Sequence, residues 1–501
     1  MNMILHSVYD HAARHADRIA LCSDQQDFSY SELAEWIAAT GKQFHARPGN
    51  VIGLLMDNCP AWAVIDLASQ YAGCTLVPLP AFFSDRQLCH IVRDAGVDML
   101  VTDDPARLPQ LDIEPVGEAF RFDIKGTVCH GLMTRPAVSP SLPPQTVKIT
   151  YTSGSTGHPK GVCLDPHAIE SVTQSLGETL AAEPTDRHLV LMPLSTLLEN
   201  IGGLYVPLSQ GGSAMLLPTG KLGTFPGRLP ETGQILETAR HHQCSSMTLT
   251  PELLKLIVQE LETGTTVPAS LRFVAVGGAP VSPRLLDRAV TLGLPVYQGY
   301  GLSECASVVA VNTPDQYRRG SVGKALPHCR ISIADDGEIL VGGPHFSAYL
   351  GQDQQAPETP WPTGDTGYVD RDGYLYVTGR KKNIVITSTG RNVSPEWIEQ
   401  ELTASPLIQR AFVFGNDQPQ VCAVIWATRD TGSAGDRDRL EAVVESINRD
   451  LPAYARIGTW LPADTPPWQL KTATGLDRGR LEQHYLPAVR LQMTGKRAAA
   501  Q

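Results

Sequence analysis

Short apolar runs alternate with stretches of helical periodicity over the first hundred residues. The segments 51–55, 75–79 and 98–102 are apolar and are flanked by turn residues, which is typical of buried strands. Between the last two, Ser84 and Gln87 have the spacing of a helical capping box, and a helical apolar face follows them. Strands separated by helices predict parallel pairing within an α/β domain.

The same alternation continues from residue 165 to 375. Aspartates before Gly337 and Gly373 indicate hairpin turns, and therefore a small antiparallel sheet in this region. The segment 105–148 is rich in proline and weakly periodic, so we expect it to consist mostly of loops. Further apolar runs predict strands near 188–192, 214–217, 271–276 and 296–297, and a helix is expected at 252–262.

The residues after 380 predict a compact tail, and residues 496–501 are expected to be disordered. A chain of 501 residues exceeds a single core. We therefore expect an α/β protein with a large multi-sheet N-terminal domain, residues 1–380, and a small α+β C-terminal domain, residues 383–501. The tail should contain a helix at 395–402, strands at 411–414 and 421–426, and a helix at 437–449.

Composition and charge exclude several classes of function. The net charge of −11 argues against a nucleic-acid surface. No window is apolar enough to span a membrane, and the N-terminus lacks the features of a signal peptide. The 10 cysteines form no Cys-x-x-Cys pair, which argues against a zinc site and favours reduced thiols. We expect a cytoplasmic protein.

Residues 149–164 combine glycines with hydroxyl-bearing side chains and a lysine. Backbone N–H groups around glycine and hydroxyl donors suit an anion, and Lys160 adds a point charge. The spacing differs from the Walker loop, in which the lysine directly opens a helix. The candidate phosphate-binding residues of this loop are Thr152, Ser153, Gly154, Ser155, Thr156, Gly157 and Lys160.

Three later segments add candidate ligand-binding groups. The turn at 277–280 would admit a flat ring close to the backbone. In the segment 298–304, an aromatic residue and two glycines precede Glu304, and a carboxylate beside a triphosphate suits Mg²⁺, which takes few protein ligands. Asp365 lies fifteen residues before Arg380, and a carboxylate can accept hydrogen bonds from both hydroxyls of a ribose.

In this order and spacing, the segments resemble the motifs of the acyl-adenylate-forming superfamily, which includes acyl-CoA ligases, peptide-synthetase adenylation domains and luciferases. The segment 388–399, Ser-Thr-Gly-Arg-Asn-Val-Ser-Pro-Glu-Trp-Ile-Glu, is similar to the acyl-CoA ligase branch. The resemblance extends from about residue 30 to 485. A peptide-synthetase adenylation domain fits less well, because no aspartate for a substrate amino group is evident in 188–200.

The resemblance implies the acyl-CoA ligase fold with a mobile small domain, and it implies roles for individual residues. Glu304 would hold Mg²⁺, Lys382 in the hinge 381–382 would be the pivot of the small domain, and Gly390 would line the channel of the pantetheine arm of CoA. The other implied nucleotide-binding residues are Gly278, Ala279, Pro280, Gly299, Tyr300, Gly301, Ser303, Asp365, Tyr376 and Arg380.

The last motif departs from the family pattern. In the family, Thr-x-x-Gly-Lys supplies a lysine that bridges the acyl carboxylate and the α-phosphate during adenylation. Here the segment 471–478 reads Lys-Thr-Ala-Thr-Gly-Leu-Asp-Arg, so that Leu476 stands in place of the lysine. Removing one preorganised donor to a transition state costs roughly 10²–10³ in rate. Adenylation should therefore be impaired.

Three interpretations remain open. In the first, Arg478 or Lys471 acts as a surrogate cation, and the chain is a complete ATP-dependent acyl-CoA synthetase using Mg²⁺ and ATP. In the second, the chain is a pseudoenzyme that only binds a nucleotide or an acyl ligand. In the third, the chain catalyses only the second half-reaction, thioesterification of an acyl-adenylate by CoA with release of AMP. We favour the third, because only the adenylation motif has lost its key residue, and a partner enzyme would then supply the adenylate.

A second departure concerns the acyl site. Acyl-CoA ligases usually carry histidine or an aromatic residue where Thr196 stands, and a small hydroxyl would admit a bulkier acid. The two glycines at 202 and 203 fit either a deeper pocket or close helix packing. The predicted walls of the acyl pocket are Thr196, Glu199, Asn200, Gly202, Met247 and Thr250. We expect a hydrophobic or bulky carboxylic acid, or its adenylate, as the substrate.

Overall fold

The computed structural model describes most of the chain. The described residues are 2–47, 50–111, 113–136, 140–152, 159–222, 234–352, 359–416, 418–428, 434–463, 471–472, 475–476 and 478–499. Among them, no helix combines the length and the apolar character needed to cross a membrane.

The large N-terminal part contains short strands and intervening helices. Its strands are β1 (Ile19–Cys22), β2 (Phe28–Ser29), β3 (Val51–Leu55), β4 (Thr75–Pro78), β5 (Met99–Thr102), β6 (Phe120–Ile124), β7 (Thr127–Met133), β8 (Lys148–Thr152), β9 (Lys160–Leu164), β10 (Arg187–Val190), β11 (Ser213–Leu216), β12 (Ser246–Leu249), β13 (Phe273–Val276), β14 (Val296–Tyr300), β15 (Ala310–Val311), β16 (Lys324–Ala325), β17 (Arg330–Ile333), β18 (Glu338–Gly342), β19 (Ala348–Tyr349), β20 (Trp361–Val369) and β21 (Leu375–Arg380). Its α-helices are α1 (Met3–Arg14), α2 (Tyr30–His45), α3 (Pro60–Tyr71), α4 (Asp85–Asp94), α5 (Pro166–Thr179), α6 (Leu197–Glu199), α7 (Val206–Ser209), α8 (Thr219–Leu222), α9 (Gln234–His241), α10 (Pro251–Glu262) and α11 (Pro283–Thr291).

Helical segments of other types complete this part. A π-helix, Asn200–Tyr205, joins α6 to α7. Short 3₁₀ segments occupy Pro105–Leu111, Ser303–Cys305 and Lys381–Asn383. The π-helix lies beside the candidate acyl pocket, and such segments occur frequently at functional sites.

The strands of the large part, β1 to β21, form two large sheets and a smaller one. One sheet has the order β16-β15-β14-β13-β12-β10-β11-β1-β2, and the other has the order β19-β9-β8-β4-β3-β5-β7-β6. The pairs β3–β4, β3–β5, β10–β12, β12–β13 and β13–β14 are parallel, as the alternation of strands and helices predicts. The predicted antiparallel sheet has the order β17-β18-β20-β21.

The small C-terminal part has its own elements and its own core. Its strands are β22 (Val385–Ile386), β23 (Asn392–Val393), β24 (Ile408–Phe414), β25 (Val421–Ala427), β26 (Ile457–Pro462), β27 (Lys471–Thr472) and β28 (Gly475–Leu476). Its α-helices are α12 (Pro395–Thr403), α13 (Ala434–Asp450) and α14 (Arg478–Ala499). Buried residues such as Ile398, Val413 and Ile425 pack with one another. The α/β class with a large and a small domain is confirmed.

Two predictions about local structure are wrong. The segment 105–148 contains an antiparallel hairpin of β6 and β7, and β7 also pairs with β5. Disorder was predicted for residues 496–501, but α14 continues to Ala499, and residues 500 and 501 lie outside the described residues. The sheet of the small domain has the order β24-β25-β26, and its third strand, β26, which pairs parallel with β25, was not predicted.

Candidate active site

A cavity of about 1430 Å³ lies where the C-terminal ends of β8, β12, β13 and β14 meet the small domain. Parallel strands place their following turns together at this edge, which is where ligands bind in open α/β sheets. From the small domain, α12 and β24 border the cavity through residues such as Gln400 and Arg410. Of the residues predicted to bind nucleotide, this cavity is lined by Thr152, Gly278, Ala279, Pro280, Gly299, Tyr300, Gly301, Ser303 and Arg380.

The turn after β14 requires glycine at position 301. A Cβ atom built there would lie 1.6 Å from the carbonyl oxygen of Ser307. The backbone of 301 therefore packs directly against the segment 305–308, and Ala306 and Ser307 have positive φ angles of 52° and 101°. This close approach holds the neighbouring side chains of Tyr300 and Ser303 at the cavity wall.

Tyr300, Asp365 and Arg380 form a connected polar group. The Tyr300 hydroxyl donates to Asp365 Oδ2 at 2.7 Å, and Arg380 Nε lies 2.7 Å from Asp365 Oδ1. Asp365 and Arg380 face each other across β20 and β21. Burial raises the pKa of Asp365, and the charge of Arg380 opposes that rise. The arrangement provides a carboxylate and a cation beside the turn at 299–301.

Glu304 lies in the 3₁₀ turn after β14 and lines the same cavity. Its Oε1 accepts a 2.7 Å hydrogen bond from the Tyr349 hydroxyl. The Lys160 ammonium lies 5.3 Å from the centre of the Tyr349 ring. Burial raises the pKa of Tyr349, and the neighbouring Glu304 carboxylate adds to the rise. Tyr349 was not predicted, because no local pattern marks a tyrosine on β19 as part of a site formed by β9 and β14.

Some predicted nucleotide-binding residues fall elsewhere. Ser153, Gly154, Ser155, Thr156 and Gly157 lie outside the described residues. Lys160, Asp365 and Tyr376 are described but do not line the cavity, and the Tyr376 ring instead stacks on Tyr368 with a centroid distance of 4.7 Å.

Lys382 lies in the connection to the small domain, and Gly390 lies within that domain. Lys382 is exposed in the 3₁₀ turn after β21, which is a suitable place for a hinge. Gly390 is exposed in the turn between β22 and β23 and has a φ angle of 73°. Neither residue borders the cavity in this arrangement of the two domains.

The predicted acyl-pocket residues divide into two groups. Thr196, Gly202 and Thr250 border the cavity. Met247 also borders it, but its side chain is fully buried in the apolar cluster on the other face of the sheet. Asn200 is not on the wall.

Asn200 and Glu199 turn away from the cavity into polar contacts. The Asn200 amide donates to Asp66 Oδ2 at 2.9 Å and accepts from Lys148. Glu199 Oε1 accepts from the backbone N–H of Leu191 at 2.9 Å, and the side chain is fully buried. Their assignment to the pocket wall is therefore corrected: Gly202 lines the cavity, whereas the side chains of Glu199 and Asn200 are buried in the protein interior.

The segment around residue 476 forms a short antiparallel pair. Leu476 on β28 stands directly opposite Lys471 on β27. Arg478 begins α14, so it does not lie on an extended strand with Leu476. Its guanidinium donates to both oxygens of Glu399 and to the carbonyl of Val413 at 2.7–3.1 Å. Arg478 is thus held within the small domain.

Comparison with known proteins identifies the family. A model described as AMP-binding enzyme matches residues 8–349, and one described as AMP-binding enzyme C-terminal domain matches residues 382–485. The chain belongs to the AMP-binding enzyme family. The resemblance stated from the motifs is confirmed.

Individual relatives of this AMP-binding enzyme are acyl-CoA ligases. A 2-succinylbenzoate–CoA ligase of Bacillus cytotoxicus is 30% identical over 428 residues, covering 80% of this chain and 82% of that protein. The long-chain-fatty-acid–CoA ligase FadD15 of Mycobacterium bovis is 28% identical over 449 residues, covering 75% of this chain and 74% of that protein. This AMP-binding enzyme is therefore a member of the acyl-CoA ligase group.

A solved structure supports the fold. The o-succinylbenzoate CoA synthetase MenE of Bacillus subtilis, in complex with the acyl-adenylate intermediate OSB-AMP, aligns with a TM-score of 0.75. The alignment covers 96% of this chain and 98% of that chain at 23% identity. The AMP-binding enzyme shares the overall architecture of that synthetase.

Proposed function

We propose that this AMP-binding enzyme catalyses the thioester-forming half of the acyl-CoA ligase reaction. The thiol sulfur of CoA attacks the carbonyl carbon of an acyl-adenylate, the bond from that carbon to the AMP phosphate oxygen breaks, and the thiol proton is lost to solvent. The observation that carries the proposal is Leu476 at the position where the family motif has its lysine.

An aliphatic side chain cannot stabilise charge that develops on the acyl carboxylate and the α-phosphate. A missing donor of this kind slows a reaction by roughly 10²–10³-fold. Thioesterification does not bring these two anions together, because its substrate is already the mixed anhydride of the acid with AMP. The loss therefore affects the first half-reaction selectively.

The groups that would hold the AMP part of an adenylate are retained. Asp365 is suited to the ribose diol, since a carboxylate accepts from two hydroxyls, and Arg380 keeps a positive charge beside it. The turns at 277–280 and 299–301 present backbone to the cavity, as a flat adenine ring requires. Gly390 and Lys382, with proposed roles in the pantetheine channel and the hinge, also keep the identities of the family motifs.

If adenylation persists, Mg²⁺ and ATP would be its cofactors. The fit of the residues to Mg²⁺ is partial: Glu304 supplies one carboxylate at the cavity, and Mg²⁺ typically takes one or two carboxylates together with phosphate oxygens. The ion would neutralise phosphate charge. In the described arrangement, Glu304 instead accepts from Tyr349 and so keeps the cavity wall in place.

Two alternatives to the half-reaction are a surrogate cation and a pseudoenzyme. Rescue by Arg478 is disfavoured, because its guanidinium is paired with Glu399 and stands over the Phe412 ring at 4.9 Å. Lys471 remains the surrogate cation to test, because it is the cross-strand partner of Leu476. A pseudoenzyme would bind nucleotide or acyl-adenylate without turnover.

The decisive assay supplies the purified protein with two substrate mixtures. One contains a carboxylic acid with ATP, Mg²⁺ and CoA, and the other contains the chemically prepared adenylate of the same acid with CoA. We expect acyl-CoA from the second mixture alone, over a panel of straight-chain and aromatic acids. Equal yields from both mixtures would contradict the half-reaction, and tight AMP binding without any turnover would favour the pseudoenzyme.

The proposal requires another enzyme to supply the adenylate, and it requires the small domain to move between orientations. In the described orientation, Lys255 on α10 donates to the carbonyl oxygens of Thr403, Ser405 and Ile408 at 2.8–2.9 Å. Arg288 donates to the carbonyl of Ala404 at 3.1 Å. These contacts attach the end of α12 to the large domain.

Docking of the small domain is expected to become more favourable as the pH rises through about 8. Burial and the charge of Arg288 lower the pKa of Lys255 to about 8, although Glu252 opposes the shift. Undocking would return the pKa to the ordinary lysine value, so docking releases a proton between these two values. Energy transfer between a dye on each domain should therefore increase with pH.

Lys255→Met is the matched control for this measurement, because its side chain has similar length and no titratable group. The variant should show the same transfer efficiency at every pH in that window. A native protein whose domains separate as the pH rises would contradict the assignment.

A further inference from the structure

The cavity extends from the strand ends down the face of the large sheet. His188, Ser246 and Phe273 are neighbours in register on β10, β12 and β13, and all three line the cavity. Phe273 lies four residues before the turn that begins at Gly277, which corresponds to a depth of about 13 Å at 3.3 Å per residue. Apolar residues such as Leu176 and Val206 line the cavity from the opposite side.

His188 and Ser246 form a polar cluster within this channel, whose wall also carries the Thr248 hydroxyl and the Asp186–Arg272 ion pair. The His188 side chain is 5% exposed, and its Nδ1 lies 3.0 Å from Ser246 Oγ. Among the described residues its Nε2 has no hydrogen-bond partner, and neither does Oε2 of the fully buried Glu199. A buried polar group without a partner is costly, so the cluster is not explained by packing alone.

Glycine at position 203 leaves the room that this cluster needs. A Cβ atom there would lie 3.0 Å from His188 Cδ2 and 3.1 Å from Glu199 Oε1. The π-helix thus brings its backbone against the imidazole and places the Glu199 carboxylate 3.7 Å from His188 Nε2.

The neighbouring carboxylate influences which atoms of His188 and Ser246 can donate or accept a hydrogen bond. In the neutral form of the imidazole, the Glu199 carboxylate beside Nε2 favours the tautomer that carries its hydrogen on Nε2. Nδ1 then accepts the Ser246 hydroxyl hydrogen, which leaves the lone pairs of Ser246 Oγ free to accept. A ligand group at this depth should therefore be a hydrogen-bond donor. An acceptor on the ligand would be repelled by the lone pairs of Ser246 Oγ.

We propose that the channel selects acyl groups carrying a hydroxyl about 13 Å from the adenylate end, and that this hydroxyl donates to Ser246 Oγ. The inference rests on the proposed function only in taking the cavity as the acyl site. It names a substrate class, hydroxylated aliphatic acids, and it assigns Ser246 and His188 to specificity.

The test measures binding of non-reactive adenylate mimics by calorimetry. The probes are sulfamoyl adenosines that carry a decanoyl, ω-hydroxydecanoyl or ω-methoxynonanoyl group on the sulfamoyl nitrogen. The last has an ether oxygen near the same place but no donor. The native protein should bind the hydroxy compound roughly 10-fold more tightly than either of the others, as one additional buried hydrogen bond allows.

Ser246→Ala should reduce this preference to within about twofold, since it removes the accepting oxygen. The matched control is Thr173→Val, which removes a buried hydroxyl on α5 that does not border the cavity, and it should keep the preference. Equal native affinity for the three compounds, or an unchanged preference in Ser246→Ala, would overturn the inference. Because no turnover is measured, a failure of the half-reaction is detected separately by the two-mixture assay.

Discussion

Replacing Leu476 with lysine is expected to raise ATP–pyrophosphate exchange by roughly 10²–10³-fold. The substitution restores a mobile ammonium at the position where the family motif donates to the acyl carboxylate and the α-phosphate. The gain corresponds to about 3–4 kcal/mol of transition-state stabilisation. Exchange of labelled pyrophosphate into ATP, in the presence of the acid but without CoA, measures the first half-reaction alone.

Two control variants distinguish the missing charge from other causes. Leu476→Met changes the shape without adding charge and should leave the exchange rate at the native level. Lys471→Met tests the surrogate cation, because Lys471 is the cross-strand partner of Leu476. If Lys471→Met abolishes a substantial native exchange activity, Lys471 replaces the family lysine and the half-reaction proposal is wrong.

Replacing Lys148 with methionine is expected to lower the free energy of unfolding of the large domain by about 3–5 kcal/mol. Lys148 and Asp66 are almost completely buried, and Lys148 Nζ lies 2.9 Å from Asp66 Oδ1. Lys148 Nζ also donates to the Tyr205 hydroxyl at 2.7 Å, and that hydroxyl donates to Asp66 Oδ2 at 2.8 Å. The variant leaves the buried carboxylate without its counter-charge.

Chemical denaturation of the large domain measures this loss. The matched control is Lys125→Met, which breaks the exposed ion pair with Glu32 and should cost no more than about 1 kcal/mol. The double variant Lys148→Met/Asp66→Leu should recover most of the stability, because no buried charge remains unpaired. Equal losses in Lys148→Met and Lys125→Met would contradict the importance of the buried pair.

Local signals explain why much of the fold could be predicted. The helix α4 is specified by its own residues: the Gln87 N–H donates to the Ser84 hydroxyl, and the Ser84 N–H donates to the Gln87 side chain. The hairpin of β6 and β7 was missed because its turn is Lys125-Gly126, with φ angles of 45° and 89°, where asparagine or aspartate would usually mark such a turn. The flanking prolines further concealed its strands.

In the candidate site, too, residues that depend on one short segment could be predicted, and residues positioned by distant parts of the chain could not. The glycine-rich turns could be identified because a ligand would contact the backbone of a single continuous segment. The side chain of Asn200 could not be placed, since its orientation is set by Asp66 and Lys148, which lie 134 and 52 residues away. Tyr349 reaches Glu304 across 45 residues, and no pattern in the sequence joins them.

The most direct test of the central claim compares two rates in one preparation of the native protein. The first is acyl-CoA formation from a synthetic acyl-adenylate and CoA, and the second is pyrophosphate release from ATP, Mg²⁺ and the corresponding acid. We predict that the first exceeds the second by roughly 10²-fold or more, because Leu476 impairs only the adenylation step. Pyrophosphate release as fast as thioester formation would contradict the account.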